Sequence, residues 1–299
     1  MKARLGIAPI AWSNDDLPEL GGETPLEVCL SESREAGFSG TETGGKFPKT
    51  PRELKDVLAA HDLKLVSGWY SGRMLENDLS AEKDRAAAQL DLFRENSASV
   101  IVYGETAGAV QSRRDVPLAK RPRLDNDQMR AYGRKLTAFA EHCHEQGVPL
   151  AYHHHMAAAI ETEDDVDRLM SATGEAVGLL FDTGHITFAG GDALRMGKKH
   201  GSRINHVHTK DIRKNVLATI DRERHSFIDA VLAGVFTVPG DGTIDFRAVT
   251  GLTAEIGYEG WFVVEAEQDP KKANPLKYAK IGHAALSEAL TEAGYTIEE

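Results

Sequence analysis

Side chains of metal-ligand type recur through the second half of this 299-residue chain. His153, His154 and His155 end one apolar run. Asp182 ends Leu-Leu-Phe-Asp, with His185 just beyond. His206, His208 and Lys210 close the run that begins at Ile204, and Glu265 and Glu267 close the last one. Successive side chains of a strand face opposite sides. His153 and His155 therefore share a face, as do His206 and His208, and Glu265 and Glu267. One member of each pair could hold a metal deep in a common mouth while the other faces a substrate one layer higher. Asp182 is an isolated carboxylate, which is costly to bury unless paired or coordinated. Two carboxylates and two imidazoles from four neighbouring strands suit a divalent cation such as Mn²⁺, Co²⁺ or Fe²⁺. They neutralise its charge and leave positions open for substrate oxygens. A single strand-end histidine is more often a hydrogen-bonded structural group. The metal reading rests on four consecutive runs ending alike. His61, His142, His144, His200, His225 and His283 carry no such pattern.

Polar residues also end the first-half runs: Trp12 and Asn14, Glu42, Trp69 and Tyr70, Tyr103 and Glu105. Trp12, Asn14, Glu42, Trp69 and Glu105 are candidates for binding a substrate, since carboxylate and amide groups can hydrogen-bond hydroxyls and an indole can cover a ring face.

Eight short β-branched runs must position these groups. They are Leu5–Trp12, Gly40–Thr43, Lys64–Tyr70, Ser99–Gly104, Val148–His155, Val177–Asp182, Ile204–Lys210 and Gly260–Ala266. Amphipathic segments separate them. The clearest runs to Gln146 from a cap at Asp125 or Asn126, with Met129, Tyr132, Leu136, Phe139, Ala140 and Cys143 at three- and four-residue steps. Thr24 and Ser80 are expected caps of two others. Eight strand–helix units in one chain predict an α/β fold, a single (β/α)8 TIM barrel spanning residues 1–299. No glycine fingerprint follows the first run and no P-loop occurs, which removes the usual reason to prefer an open nucleotide-binding sheet. Gln111–Arg123 reads as a long loop after the fourth strand, and Asp211–Gly242 as an irregular insertion.

The formal net charge is −11, from 35 basic and 46 acidic residues. A nucleic-acid or anionic-membrane binder needs a basic footprint, so neither partner is expected. Two cysteines, Cys29 and Cys143, exclude a disulfide scaffold and a Cys-based zinc finger. No signal peptide or apolar run of about 18 residues is present, so a cytoplasmic protein is expected.

The stretches AYHHHM, LLFDTGH, RINHVHTKD and WFVVEAEQD, with GIAPIAWSND, GFSGTETG, SGWYSG and VIVYGE in the first half, resemble the inosose (2-keto-myo-inositol) dehydratases. These belong to the metal-dependent xylose-isomerase-like barrels of sugar isomerases and epimerases. The resemblance runs over nearly the whole chain. It implies a metal held by His153, Asp182, His208 and Glu265, with Mn²⁺ or Co²⁺ as the expected ion. His153 departs from the superfamily, which has Glu there, so one of the paired Glu residues of the epimerases is missing. That favours dehydration of a cyclic keto-polyol over epimerisation. A metal-dependent isomerase or epimerase of a keto sugar is the alternative. In the dehydratase reading Glu267 or His155 is the base. Lys210 donates to the enolate oxygen or orients Asp182, and His185 binds a substrate hydroxyl. The resemblance also implies homo-oligomers.

Overall fold

A computed structural model describes residues 1–298. Eight parallel strands close on themselves: β1 (Lys2–Ile7), β2 (Gly40–Thr43), β3 (Lys64–Gly72), β4 (Ile101–Glu105), β5 (Leu150–His153), β6 (Val177–Asp182), β7 (Ile204–His208) and, after a short antiparallel ribbon of β8 (Asp211–Ile212) and β9 (Phe236–Thr237), β10 (Gly260–Val264). β10 pairs with both β7 and β1, which closes the barrel. A last strand, β11 (Thr296–Glu298), pairs with Lys2–Arg4, the part of β1 that β2 leaves free.

The helices between strands are α1 (Leu26–Glu35), α2 (Pro51–Ala60), α3 (Leu79–Glu95), α4 (Asn126–Glu145), α5 (Glu163–Ala172), α6 (Thr183–Phe188), α7 (Ala193–His200), α8 (Lys214–Leu217), α9 (Phe227–Ala233), α10 (Phe246–Glu255) and α11 (Pro275–Glu292). Most begin where the side chain of the preceding residue can take an orphan backbone N–H. Asp125 and Gln128 form a reciprocal capping box on α4, and Thr162 with Asp165 does the same on α5. Two expected caps move. α3 is capped by Asp78 rather than Ser80, and α1 starts after Pro25 with no side-chain cap from Thr24. Among the described residues no helix is long and apolar enough to cross a membrane.

The main core lies between the strands and the helix ring, for example Leu136, Phe139 and Cys143 of α4 against Tyr70 and Tyr103. Two smaller groups fill the barrel interior: Val66, Trp261 and Val263 with Ala8, and Val100, Val102, Ala151 and Leu180. Register irregularities sit where the interior changes from apolar to polar. One lies in β3 opposite Thr41 and Thr43, the other in β7 next to Leu179 and Leu180. Such bulges re-aim side chains. At and above them Ser67, His206 and His208 turn inward around Glu42. A third cluster, built on Phe188, Ile212, Phe227 and Phe236, packs the insertion after β7 over that end of the barrel.

Candidate active site

Four groups converge at the C-terminal mouth of the barrel, the end where barrel enzymes carry their chemistry. One atom of each of His153, Asp182, His208 and Glu265 lies within 4.8 Å of the others, and all four side chains are buried. Asp182 and His208 are register partners on β6 and β7. Val263 pairs with His208, so Glu265 projects two residues further along the same face. Asp182 Oδ2 is 3.6 Å from both His153 Nε2 and His208 Nδ1, and His208 Nδ1 is 3.2 Å from Glu265 Oε2.

Each group has one atom tied down and another left free. The His153 Nδ1–H donates to the His154 carbonyl at 2.6 Å, which leaves the Nε2 lone pair facing the cluster. His208 donates through Nε2 to Glu42 Oε1 at 3.0 Å, leaving Nδ1. Asp182 Oδ1 accepts the His185 backbone N–H and caps α6, leaving Oδ2. Asp182 Oδ2 and His208 Nδ1 are buried and make no hydrogen bond, while Glu265 Oε2 faces them and is ion-paired with Lys210 Nζ at 2.7 Å. Buried polar atoms are rarely left without a hydrogen bond, and an ion is one standard explanation. Two carboxylate oxygens and two imidazole nitrogens fit a divalent cation in charge and donor type.

The electrostatics agree. Burial raises the Asp182 carboxyl, but Lys210 and His185 more than offset it and bring it down to about 2. Burial and the neighbouring imidazoles of His185, His208 and His155 hold His153 well below its ordinary value, so it is neutral and a competent ligand. Burial also opposes charge on His208, yet Glu42 and Glu265 hold its pKa well above the ordinary value; the same negative surroundings favour a cation, which would take the place of the Nδ1 proton.

Glu42 does more than line the mouth. Its carboxylate accepts from Ser67 Oγ at 2.5 Å and lies 3.0 Å from Nε2 of both His206 and His208. It is therefore the outer carboxylate that sets the His208 tautomer, an arrangement that tunes ligand strength. We expect Glu42→Gln to weaken divalent-metal affinity by roughly 10–100-fold, the usual cost of losing such a partner. Competition with a chromophoric chelator reads this directly, and unchanged affinity would leave Glu42 as a substrate contact alone.

A second group lies beside the first. Lys210 Nζ is 2.5 Å from Glu267 Oε2, 2.7 Å from Glu265 Oε2 and 2.9 Å from His185 Nε2. Lys210 is fully buried, and it reaches this position past Gly184, where a Cβ would sit 2.5 Å from Lys210 Cγ. His155 donates from Nδ1 to the Met156 carbonyl at 2.8 Å, and its Nε2 lies 4.0 Å from Glu267 Oε1.

A cavity opens over both groups. Glu42, Trp69, His153, His155, His208, Glu265 and Glu267 line it. Trp69 fits because Gly104 has no side chain: a Cβ there would lie 1.9 Å from the indole. Its ring meets His153 and His155 edge-on, and its Nε1–H donates to Ser71 Oγ.

Several expected contacts are turned elsewhere. Trp12 is buried outside the cavity lining, with its indole N–H on Glu32 Oε2. Asn14 Oδ1 accepts the Asp16 and Leu17 amides, so it shapes the loop after β1 rather than facing the cavity. That loop instead delivers Asp15 and Asp16 to the wall, where Gln111 of the arginine-containing loop joins them beside Asp16. The sequence reading missed all three, because no periodicity marks loop residues. His185 and Lys210 stand behind the lining, out of contact with the cavity. The Pro239–Gly242 turn of the insertion contributes no residue to the cavity lining, and its Asp241 accepts from Arg213 and Thr237.

Glu105 is also withdrawn, bonded to the Tyr103 hydroxyl and the Ala107 amide. Burial outweighs those bonds and raises its carboxyl to about 7. A folded-state value above the unfolded one gives stability that is full below about pH 4.5 and is lost as pH rises through about 7. Glu105→Gln keeps an acceptor oxygen for the Ala107 amide, and its NH2 can donate to the Tyr103 oxygen in place of the bond that Tyr103 now donates. At pH 8 it is expected to stabilise the fold by on the order of 3 kcal/mol, because each pH unit separating the folded and unfolded values is worth about 1.36 kcal/mol. At pH 4.5 it should change little. Melting temperatures at the two pH values check this.

Residues 30–289 match the xylose isomerase-like TIM barrel family model. The rhizopine catabolism protein MocC of Rhizobium meliloti is 51% identical over 99% of this chain and 91% of its own. An inosose dehydratase of Geobacillus thermodenitrificans is 44% identical over 93% of this chain and 94% of its own. Among solved structures, an IolI protein with a bound zinc atom superposes with a TM-score of 0.64 at 15% identity, over 97% of both chains. The chain belongs to the xylose isomerase-like TIM barrel family, with bacterial inosose dehydratases among its relatives.

Proposed function

We propose that the chain is a metal-dependent hydro-lyase that removes water from a cyclic keto-polyol, 2-keto-myo-inositol, to give a trihydroxycyclohexane-dione in inositol catabolism. The observation that carries this reading is the convergence of Asp182 Oδ2 and His208 Nδ1, both buried without a hydrogen bond, with Glu265 Oε2 and His153 Nε2 beneath a cavity. Inosose dehydratases more than 40% identical over nearly the same length support the substrate.

His153, Asp182, His208 and Glu265 would hold the ion, Mn²⁺ or Co²⁺. A bound divalent cation acts as a Lewis acid on a ketone oxygen, acidifies the α-proton and stabilises the developing enolate. The other residues divide the remaining work. His155 Nδ1–H is committed to the Met156 carbonyl, so Nε2 is the ring nitrogen available at the cavity wall. It takes the α-proton. The β-carbon–oxygen bond then breaks as the ring double bond forms, and the Nε2–H of His155 returns the proton to the leaving hydroxyl as water. Glu267, 4.0 Å away, stabilises the imidazolium and is itself held by Lys210. Lys210 is thus a positioning residue rather than an enolate donor. Trp69 offers its ring to the apolar face of the polyol, and Asp16 and Gln111 offer acceptors and donors to hydroxyls.

The test mixes metal-stripped protein with 2-keto-myo-inositol, with and without Mn²⁺ or Co²⁺, and follows the ultraviolet absorbance of the dione. Metal-dependent absorbance is expected. Solvent deuterium entering the ketone without dione would assign an isomerase or epimerase instead.

A further inference from the structure

His155, His185 and Glu267 form a second set whose ligand atoms lie within 4.8 Å of one another. It adjoins the set of His153, Asp182, His208 and Glu265, and the two share a border. Glu265 Oε2 is 3.2 Å from His208 Nδ1 on one side and 2.7 Å from Lys210 Nζ on the other. A carboxylate placed between two cation positions is the arrangement of two-metal centres, whose ions stand about 3.5–4 Å apart. Here one of the two positions already contains a cation. Lys210 Nζ lies at 2.5 Å from Glu267 Oε2 and 2.9 Å from His185 Nε2, among the groups that would ligate a second ion.

We propose that the Lys210 ammonium takes the place of a second metal ion in a carboxylate-bridged two-cation centre, so that the protein holds one divalent cation and would hold two if that ammonium were removed. The charge count supports it. Asp182, Glu265 and Glu267 all lie within 3.9 Å of Lys210 Nζ. Three carboxylates are balanced by one divalent ion and one ammonium, and buried charges persist only when so paired. The ammonium is fixed in place. Its stem passes Gly184, its backbone carbonyl accepts from Thr183 Oγ1 at 2.7 Å, and Phe236 covers it with the ring centroid at 4.8 Å. His155 and His185 would supply imidazole nitrogens to an incoming ion. This inference rests on the metal reading of the four-residue set but concerns the count, not the reaction.

The experiment is metal counting on whole, folded protein equilibrated with excess Mn²⁺ and then desalted, with electron paramagnetic resonance of the bound ion. Wild type is expected to hold one equivalent with an isolated-ion spectrum. Lys210→Met and Lys210→Gln are expected to hold two, with an exchange-coupled spectrum, and Lys210→Arg one. Adding His185→Ala to Lys210→Met should return the count to one. Two equivalents in wild type, or no gain in either neutral variant, would overturn the proposal. So would neutral variants that stay unfolded with Mn²⁺ in excess, because a second ion would then not replace the ammonium. A wild-type count of zero would break the four-ligand reading and overturn this inference with it. Counts of one in both would overturn this inference and leave the four-ligand reading standing.

Discussion

Asp182→Asn is expected to lower dehydration by about 10³-fold or more, the scale of losing several kcal/mol of Lewis-acid stabilisation. Asparagine is the informative replacement. It keeps Oδ1, which accepts the His185 amide and starts α6. It neutralises Oδ2, which is buried, makes no hydrogen bond and faces His153 Nε2 and His208 Nδ1. The fold should therefore stand while the cation is lost. Metal content after desalting and turnover at saturating substrate should fall together. Normal turnover in a metal-free Asp182→Asn protein would remove the ion from the chemistry.

His155→Ala is expected to lower kcat by about 10²–10⁴-fold, the usual contribution of a positioned acid–base group. Metal content should be unchanged, because His155 Nε2 faces Glu267 rather than the four-residue set. Glu267→Gln should cost less. Its carboxylate is engaged by Lys210 and acts on His155 across 4.0 Å. The ranking decides the base. If Glu267→Gln is the more damaging variant and His155→Ala keeps its exchange of the substrate α-proton with solvent, Glu267 is the base. Measuring that exchange in both variants separates proton removal from departure of water.

The four-residue set was legible in the sequence because strand parity is local. A residue two places along a strand returns to the same face whatever the rest of the chain does. His208 and Glu265, each closing an apolar run, were therefore readable as inward-facing, and the motif resemblance chose among the pairs. The first-half candidates fared differently. Glu42 and Trp69 reach the cavity, whereas Trp12, Asn14 and Glu105 spend their polar atoms on Glu32, on loop amides, and on Tyr103 and Ala107. Each ends or follows a β-run, but β1 ends at Ile7 and the chain leaves the barrel in a short turn before Trp12. Parity carries to Glu265, the residue after β10, but fades over the turn that separates Ile7 from Trp12 and Asn14; Glu105 still pairs with Gly72, and its carboxylate is drawn aside by Tyr103 and Ala107, which parity does not report.

The sequence by itself determined the strand–helix alternation, the inward faces of the strands and the kinds of ligand gathered at one end. Those follow from periods of two and 3.6 residues and from the chemistry of the side chains. Only the tertiary structure decided which atom of each group is free. The His154 carbonyl, Glu42 and the α6 amide each satisfy one atom of a ligand and leave the other exposed to the cluster. It alone placed Lys210 between Glu265 and Glu267, 55 and 57 residues away in the chain, because a side chain's partner across a closed barrel is set by register and packing rather than by sequence distance.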